Sequence, residues 1–243
     1  MNYKIYSLGD SGACIELGNL IDEAINKKTI SIRDWLNKNP FEGLKDIIVA
    51  YSSVSLYYDP VLVRKNSAVS RTVFDFIADK LEAAFHQSHI EEQSHKNIIN
   101  IPVCYSSDYG IDIEFLSNKK NISKEEIIHL HTSKIYRVYM IGFLPGFSYL
   151  GKIDEQLEIA RKPKPVPIPP GSVGIAGMQT GVYPFACPGG WQIIGRTPVK
   201  FFEPGTAVPT RLHIGDYVQF YEIGKDEFNE LLNNNYVKVE IDN

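Results

Sequence analysis

Gln179 and Thr180 stand between Gly177 and Gly181, and that setting is where chemistry first suggests itself. Flanking glycines let a backbone approach a ligand closely and expose its amide N–H groups. A glutamine amide both donates and accepts hydrogen bonds, which suits recognition of a lactam, a urea or a carboxylate better than proton transfer. Tyr183 and Trp191 are suited to apolar walls with a polar edge, and Arg196 to pairing a carboxylate through two N–H donors. A purely structural reading of the same residues makes the glycines corners, Trp191 core and Arg196 a strand-end ion pair. The whole run 139–195 packs glycine, proline, aromatic and amide residues more densely than core strands tolerate, so it predicts a site-forming loop system.

Other chemistries find little support. Residues 146–152 meet the phosphate-loop spacing GxxxxGK, but Ile153 replaces the metal-binding hydroxyl and bulky residues crowd the loop, so a tight aromatic turn is the better reading. No HExxH, GxSxG or GxGxxG pattern occurs. His129 and His131 lie two apart on a predicted helix and point about 200° from each other, so they cannot share an ion. His86, His89 and His95 lack a fourth ligand, and Cys14, Cys104 and Cys187 show no ligand spacing; no metal is expected, and the thiols read as reduced. A net charge of −4 with scattered Lys and Arg argues against nucleic acid and anionic membrane as partners. With neither a secretory leader nor an 18-residue apolar run, the chain reads as cytoplasmic.

The elements that must position these residues fall in two halves. In residues 1–88, hairpin strands surround Gly9-Asp10-Ser11-Gly12, helices are predicted over 20–36 and 68–85, and a strand pair over 46–58. Strands first and last, with two helices on one face, predict a ferredoxin-like α+β domain. Residues 86–97 hold one aliphatic side chain and read as a linker. From 98 to 243, a capping box at Ser123–Glu126 opens a short helix, the apolar run 136–143 predicts a central strand, and short strands punctuated by Gly and Pro predict an all-β barrel domain. A helix and a strand extend it beyond Gly224. The proline-rich run 161–170 predicts an extended strap.

Gly-Phe-Leu-Pro-Gly-Phe at 142–147, Gly-Met-Gln-Thr-Gly at 177–181 and Pro-Gly-Gly-Trp at 188–191 together resemble the family of first subunits of so-called allophanate hydrolases. That family includes a component of bacterial 5-oxoprolinase and an inhibitor of a sporulation histidine kinase. The resemblance implies a cyclophilin-like barrel for the second half and a role in an ATP-dependent 5-oxoprolinase. C-type and A-type subunits would complete the complex, with ATP and Mg²⁺ bound at that level and no cofactor on this chain alone. Leu130-His131-Thr132-Ser133 resembles the family's Leu-His-Ser-Ser, which raises His131, with Gln179, as a catalytic candidate; Thr180, Tyr183, Trp191 and Arg196 become substrate-binding candidates. The chain departs from the family where Pro165 beside Lys164 replaces an expected arginine, at Ser148, and at Cys187. Two other functions belong to the same family: a component of a urea or allophanate enzyme, and a histidine-kinase inhibitor that docks through an exposed patch of Phe143, Phe147 and Tyr149.

Overall fold

The computed structural model describes residues 1–66, 72–90, 98–234 and 241–242. The chain divides into two compact units, Met1–Gln93 and Ser94–Asn243.

In the first unit, strands β1 (Lys4–Ser7) and β2 (Gly12–Glu16) form a hairpin, followed by helix α1 (Glu23–Lys38), strands β3 (Leu44–Val49) and β4 (Ser53–Tyr58), and helices α2 (Pro60–Asn66) and α3 (Val73–Gln87). Asp22 caps α1 by accepting the Ile25 N–H at 2.9 Å, and Thr72 with Asp75 makes a reciprocal capping box at α3. Ile32 and Leu36 of α1 and Ile77 and Leu81 of α3 are fully buried, as are Ala13, Ile15, Val54 and Leu56 on alternate strand positions. The sheet is antiparallel with order β1-β2-β4-β3. This corrects the expected ferredoxin-like path, which needs a strand after the last helix to fill the edge beside β2. Here β1 fills that edge at once, because Gly9 at φ +66° and the Leu8 N–H to Gly12 O bond of 2.8 Å reverse the chain locally. Residues 86 and 87 are helical rather than linker, and residues 91–97, with His95, lie outside the described residues.

The second unit opens with β5 (Ile98–Val103), helices α4 (Ile113–Lys120) and α5 (Lys124–Thr132), and strands β6 (Ile135–Ile141) and β7 (Ser148–Gly151). It continues through β8 (Val166–Ile168), β9 (Ser172–Ala176), β10 (Gln179–Val182), β11 (Cys187–Gly189), β12 (Gln192–Arg196) and β13 (Tyr217–Glu222), and ends with α6 (Lys225–Asn233) and β14 (Ile241–Asp242). The three helices make this unit mixed rather than all-β. At α5 the Ser123 hydroxyl accepts the Glu126 N–H at 3.1 Å, the first half of the capping box that the sequence suggested.

Eight strands run in the order β12-β9-β10-β7-β6-β13-β5-β14. The sheet curls until its flanks meet: Cys104, just past β5, exchanges two backbone hydrogen bonds with Arg196 at the end of β12, at 2.8 and 3.0 Å. Inside lie Ile101, Val103, Val138, Leu150, Val173, Ile175, Val182, Ile194, Val218 and Phe220, with Ile113 and Leu116 of α4 and Ile127 of α5 packed against them. The proline-rich run is extended, and its β8 pairs with β11 as a separate two-stranded arm.

The seam leaves no room beside Gly195. A Cβ there would meet Val103 Cγ1 at 2.7 Å, the Cys104 carbonyl at 3.0 Å and the Tyr105 ring at 3.1 Å. Gly195→Val is therefore expected to destabilise the protein by about 3 kcal/mol, read as a lower urea midpoint. A midpoint equal to wild type would show that the seam is loose.

Candidate functional site

One row crosses four strands on the face away from the barrel core: Tyr149 of β7, Gly181 of β10, Gly174 of β9 and Ile193 of β12 stand opposite one another. Gly181 supplies no side chain, so rings lie directly on the backbone; a Cβ there would meet Trp191 at 3.1 Å and Phe147 at 3.3 Å. Phe147 sits at the centre of an edge-on cluster, with ring centroids 5.6 Å from Phe143, 4.7 Å from Tyr149, 5.0 Å from Tyr183 and 5.4 Å from Trp191. Edge-to-face pairs of this kind add about 1 kcal/mol each beyond the area they bury. Ile168 of β8 and Cys187 of β11 pack with the same cluster.

Polar groups stand at the margin of this face. Gln179, half-buried at the start of β10, is opposite Gly151 and therefore diagonal to Tyr149 on the same side of the sheet. A strap runs past it: Ile159 bridges Gly177, Gln192 Nε2 donates to the Ala160 carbonyl at 3.1 Å, and the Lys162 N–H donates to Gly190 O at 2.6 Å. The Lys162 ammonium pairs with Asp112, and the same carboxylate oxygen accepts the Ile193 N–H at 2.7 Å. Between these anchors the Arg161 guanidinium lies 5.8 Å from the Trp191 ring centroid, within the range of a cation–π contact. Burial raises the Tyr183 phenol to about 12 and raises Tyr149 as well, while the nearby Arg161 charge opposes both shifts. Burial also pushes the Cys187 thiol up, which suits packing rather than nucleophilic attack.

His131 and Thr180 do meet, but inside the barrel. His131 is fully buried, stacked 4.7 Å from Phe220, with Nδ1 2.7 Å from the Tyr105 hydroxyl and Nε2 2.9 Å from Thr180 Oγ1. Thr180 donates to the Gly174 carbonyl at 3.1 Å, so its oxygen accepts from Nε2–H, and Nδ1 accepts from Tyr105. Both ring nitrogens are thus committed and shielded. This corrects the general acid/base role for His131 and the substrate contact for Thr180: neither side chain is open to a small molecule in this fold.

The remaining candidates separate. Tyr183 and Trp191 belong to the aromatic face, although each is nearly buried, at 2% and 3% exposure. Arg196 sits at the seam, its Nε bonded to the Pro170 carbonyl at 2.8 Å and its guanidinium against Tyr109 and Phe228, so it does not join Gln179. The expected docking patch is also corrected: Phe143 is 62% exposed, but Phe147 is 1% exposed and Tyr149 half-buried, because bare Gly181 gives their rings a floor. Residues 146–152 are a turn running into β7, whose backbone is laddered to β6 and β10. Arg161, the Lys162–Asp112 pair and Tyr105 were not singled out from sequence. Their contacts join distant segments, and only the charge beside the prolines hinted at the first two.

Comparison with known proteins places this geometry. The profile of the carboxyltransferase domain, subdomain C and D, matches residues 3–212. The 5-oxoprolinase B subunit of Bacillus subtilis is 38% identical over 231 residues, covering 94% of this chain and 96% of the relative. The protein of the same name from Escherichia coli O157:H7 is 41% identical over 218 residues, covering 89% and 94%. Among solved structures, TTHA0988 matches with a TM-score of 0.73 and 31% identity over 88% of this chain, which spans 40% of that longer chain. Urea amidolyase of Saccharomyces cerevisiae is more distant, at 23% identity and with 13% of its length covered.

Burial holds the His131 imidazole at about 3, far below its ordinary 6.5. Between those values the unfolded chain binds a proton that the folded chain refuses. Stability from this group is therefore complete above pH 6.5 and is lost as pH falls towards 3, by up to about 1.4 kcal/mol per pH unit. His131→Asn is expected to unfold at lower urea at pH 7 and to show a shallower decline from pH 6.5 to 4. An identical pH slope in both proteins would mean that His131 is not the buried neutral group described.

Proposed function

The chain belongs to the carboxyltransferase subdomain C and D family, and we propose that it works as the B component of a 5-oxoprolinase, opening 5-oxoproline to glutamate with partner subunits. The observation that carries this reading is the near end-to-end match to proteins that bear the name of the 5-oxoprolinase B subunit. The chemistry of the aromatic face agrees. A five-membered lactam presents two flat faces, an N–H donor and a carbonyl acceptor; Gln179 can meet both polar groups while half-buried Tyr149 borders the ring. The side chains here hold and orient the lactam. His131 is a positioning residue in this reading, since its bond to Thr180 fixes the strand on which Gln179 stands.

ATP and Mg²⁺ act at the level of the complex, and the partners are a C-type and an A-type subunit. The segment of this chain with phosphate-loop spacing has its amides engaged in a strand ladder, so it offers no cradle for a triphosphate. The isolated chain is accordingly inactive. We take the closed sheet as the cyclophilin-like barrel that the motifs imply. A cytoplasmic location completes the reading: among the described residues no helix is long and apolar enough to cross a membrane, and Cys14, Cys104 and Cys187 are all free thiols. Neither a urea-directed reaction nor kinase inhibition is carried forward. The first rests on a distant likeness, and the second loses its patch with the burial of Phe147.

Co-expression with the two partner subunits is expected to yield a complex that releases glutamate from 5-oxoproline only when ATP is present. Gln179→Ala is expected to lower kcat/KM by about 10-fold with an unchanged melting curve. A complete wild-type complex that produces no glutamate would overturn the assignment. Full activity in Gln179→Ala would remove Gln179 from the site.

A further inference from the structure

We infer that Arg161 is the residue that selects a carboxylate-bearing lactam, by pairing its guanidinium with the carboxylate of the bound ring; this rests on the function proposed above. The starting observation is how firmly an exposed arginine is presented. The residue before it is held through its carbonyl by Gln192 at 3.1 Å, and the residue after it through its N–H by Gly190 at 2.6 Å. Lys162 then turns inward to pair with Asp112, and Ile159, two residues upstream, bridges Gly177 beside the turn into Gln179. The backbone on both sides is thereby fixed, and Arg161 projects from a rigid mount.

The guanidinium itself is unspent. Among the described residues Arg161 makes no ion pair and no hydrogen bond; its neighbours are the Trp191 ring and the Tyr149 and Tyr183 phenols, whose pKa values its charge opposes raising. Its Cζ lies 5.8 Å from the Trp191 ring centroid, within cation–π reach, and its N–H donors, taken by no partner among the described residues, match the two oxygens of a carboxylate. Two residues span at most about 7 Å, so the strap keeps Arg161 within roughly one small ring of Ile159, which bridges Gly177. Gln179 can then address the amide edge of the lactam while Arg161 addresses its acid. Lys164, beside the Pro165 that replaces the family's expected arginine, lies exposed three residues further on, beyond the mounted stretch.

The test compares an anionic with a neutral lactam on the reconstituted complex. Arg161→Gln is expected to raise KM for 5-oxoproline about 100-fold with kcat changed less than about 3-fold. Inhibition by 2-pyrrolidinone, which lacks the carboxylate, should be unchanged. Arg161→Lys should recover part of the loss, since an ammonium keeps the charge but not the two-point geometry. An unchanged KM in Arg161→Gln, or equal weakening of both ligands, overturns the inference while leaving the proposed function standing. A wild-type complex inert towards 5-oxoproline removes the proposed function, and this inference with it, before any variant is compared.

Discussion

Two backbone hydrogen bonds between Cys104 and Arg196 hold the second unit closed, and the placing of the candidate site follows from them. Once β12 is fastened beside the end of β5, the segment that leads into α4 has to lie along β12, and Gly110 is pressed so close that a Cβ would sit 2.3 Å from the Ile194 carbonyl. That segment carries Asp112 to the Ile193 N–H, and the same carboxylate takes Lys162. The strap is fixed by Lys162, and the orientation of Arg161 is fixed by the strap. A closure made only of backbone groups is thus transmitted, through one partly buried carboxylate, to a side chain on the opposite face of the sheet.

Burial divides the polar residues of the second unit into two kinds. His131, Tyr105 and Thr180 sit where water cannot reach, so each donor and acceptor must be matched, and the chain Tyr105–His131–Thr180–Gly174 matches them all. Their value lies in fixing one arrangement of the barrel interior. Gln179 is the immediate neighbour of Thr180 but points to the other side, as alternate strand residues must. One residue of register therefore separates a side chain sealed in the core from one that can meet a small molecule.

Features with a local cause were readable in advance. The helix start at Ser123, the break between β3 and β4, and the extended proline run all follow from neighbouring residue types, whereas the starts at Asp22 and Thr72 lie two to four residues beyond the positions that periodicity suggested. Gln179 could be singled out because glycines on both sides advertise an accessible backbone. What could not be read depends on separation along the chain: Asp112 meets Lys162 across 50 residues and Ile193 across 81. The aromatic motif misled for a related reason. Glycine and proline neighbours suggest a surface loop, and only the pairing of β7 with β10 reveals that Gly181 has cleared a place for Phe147. In the first unit the β1–β2 hairpin was legible, but that it takes the edge a ferredoxin-like path gives to a later strand was not, because element lengths are the same whichever edge a strand takes.

The position of β5 also governs the order of events during synthesis. This strand opens the second unit, yet its neighbours in the sheet are β13, which it joins in parallel from Ile98 with Tyr217, and β14 at Ile241–Asp242. The first unit has all its described strands and helices before β5 is made, and can fold as the ribosome moves on. The second cannot. From Ile98 onward the nascent chain carries an apolar strand with two unsatisfied edges until β13 and β14 have been translated, which makes its assembly slow and dependent on distant contacts. The interval in which this chain is most exposed to aggregation is therefore written into its topology, at the stage when most of the sheet has been made and its flank is still open.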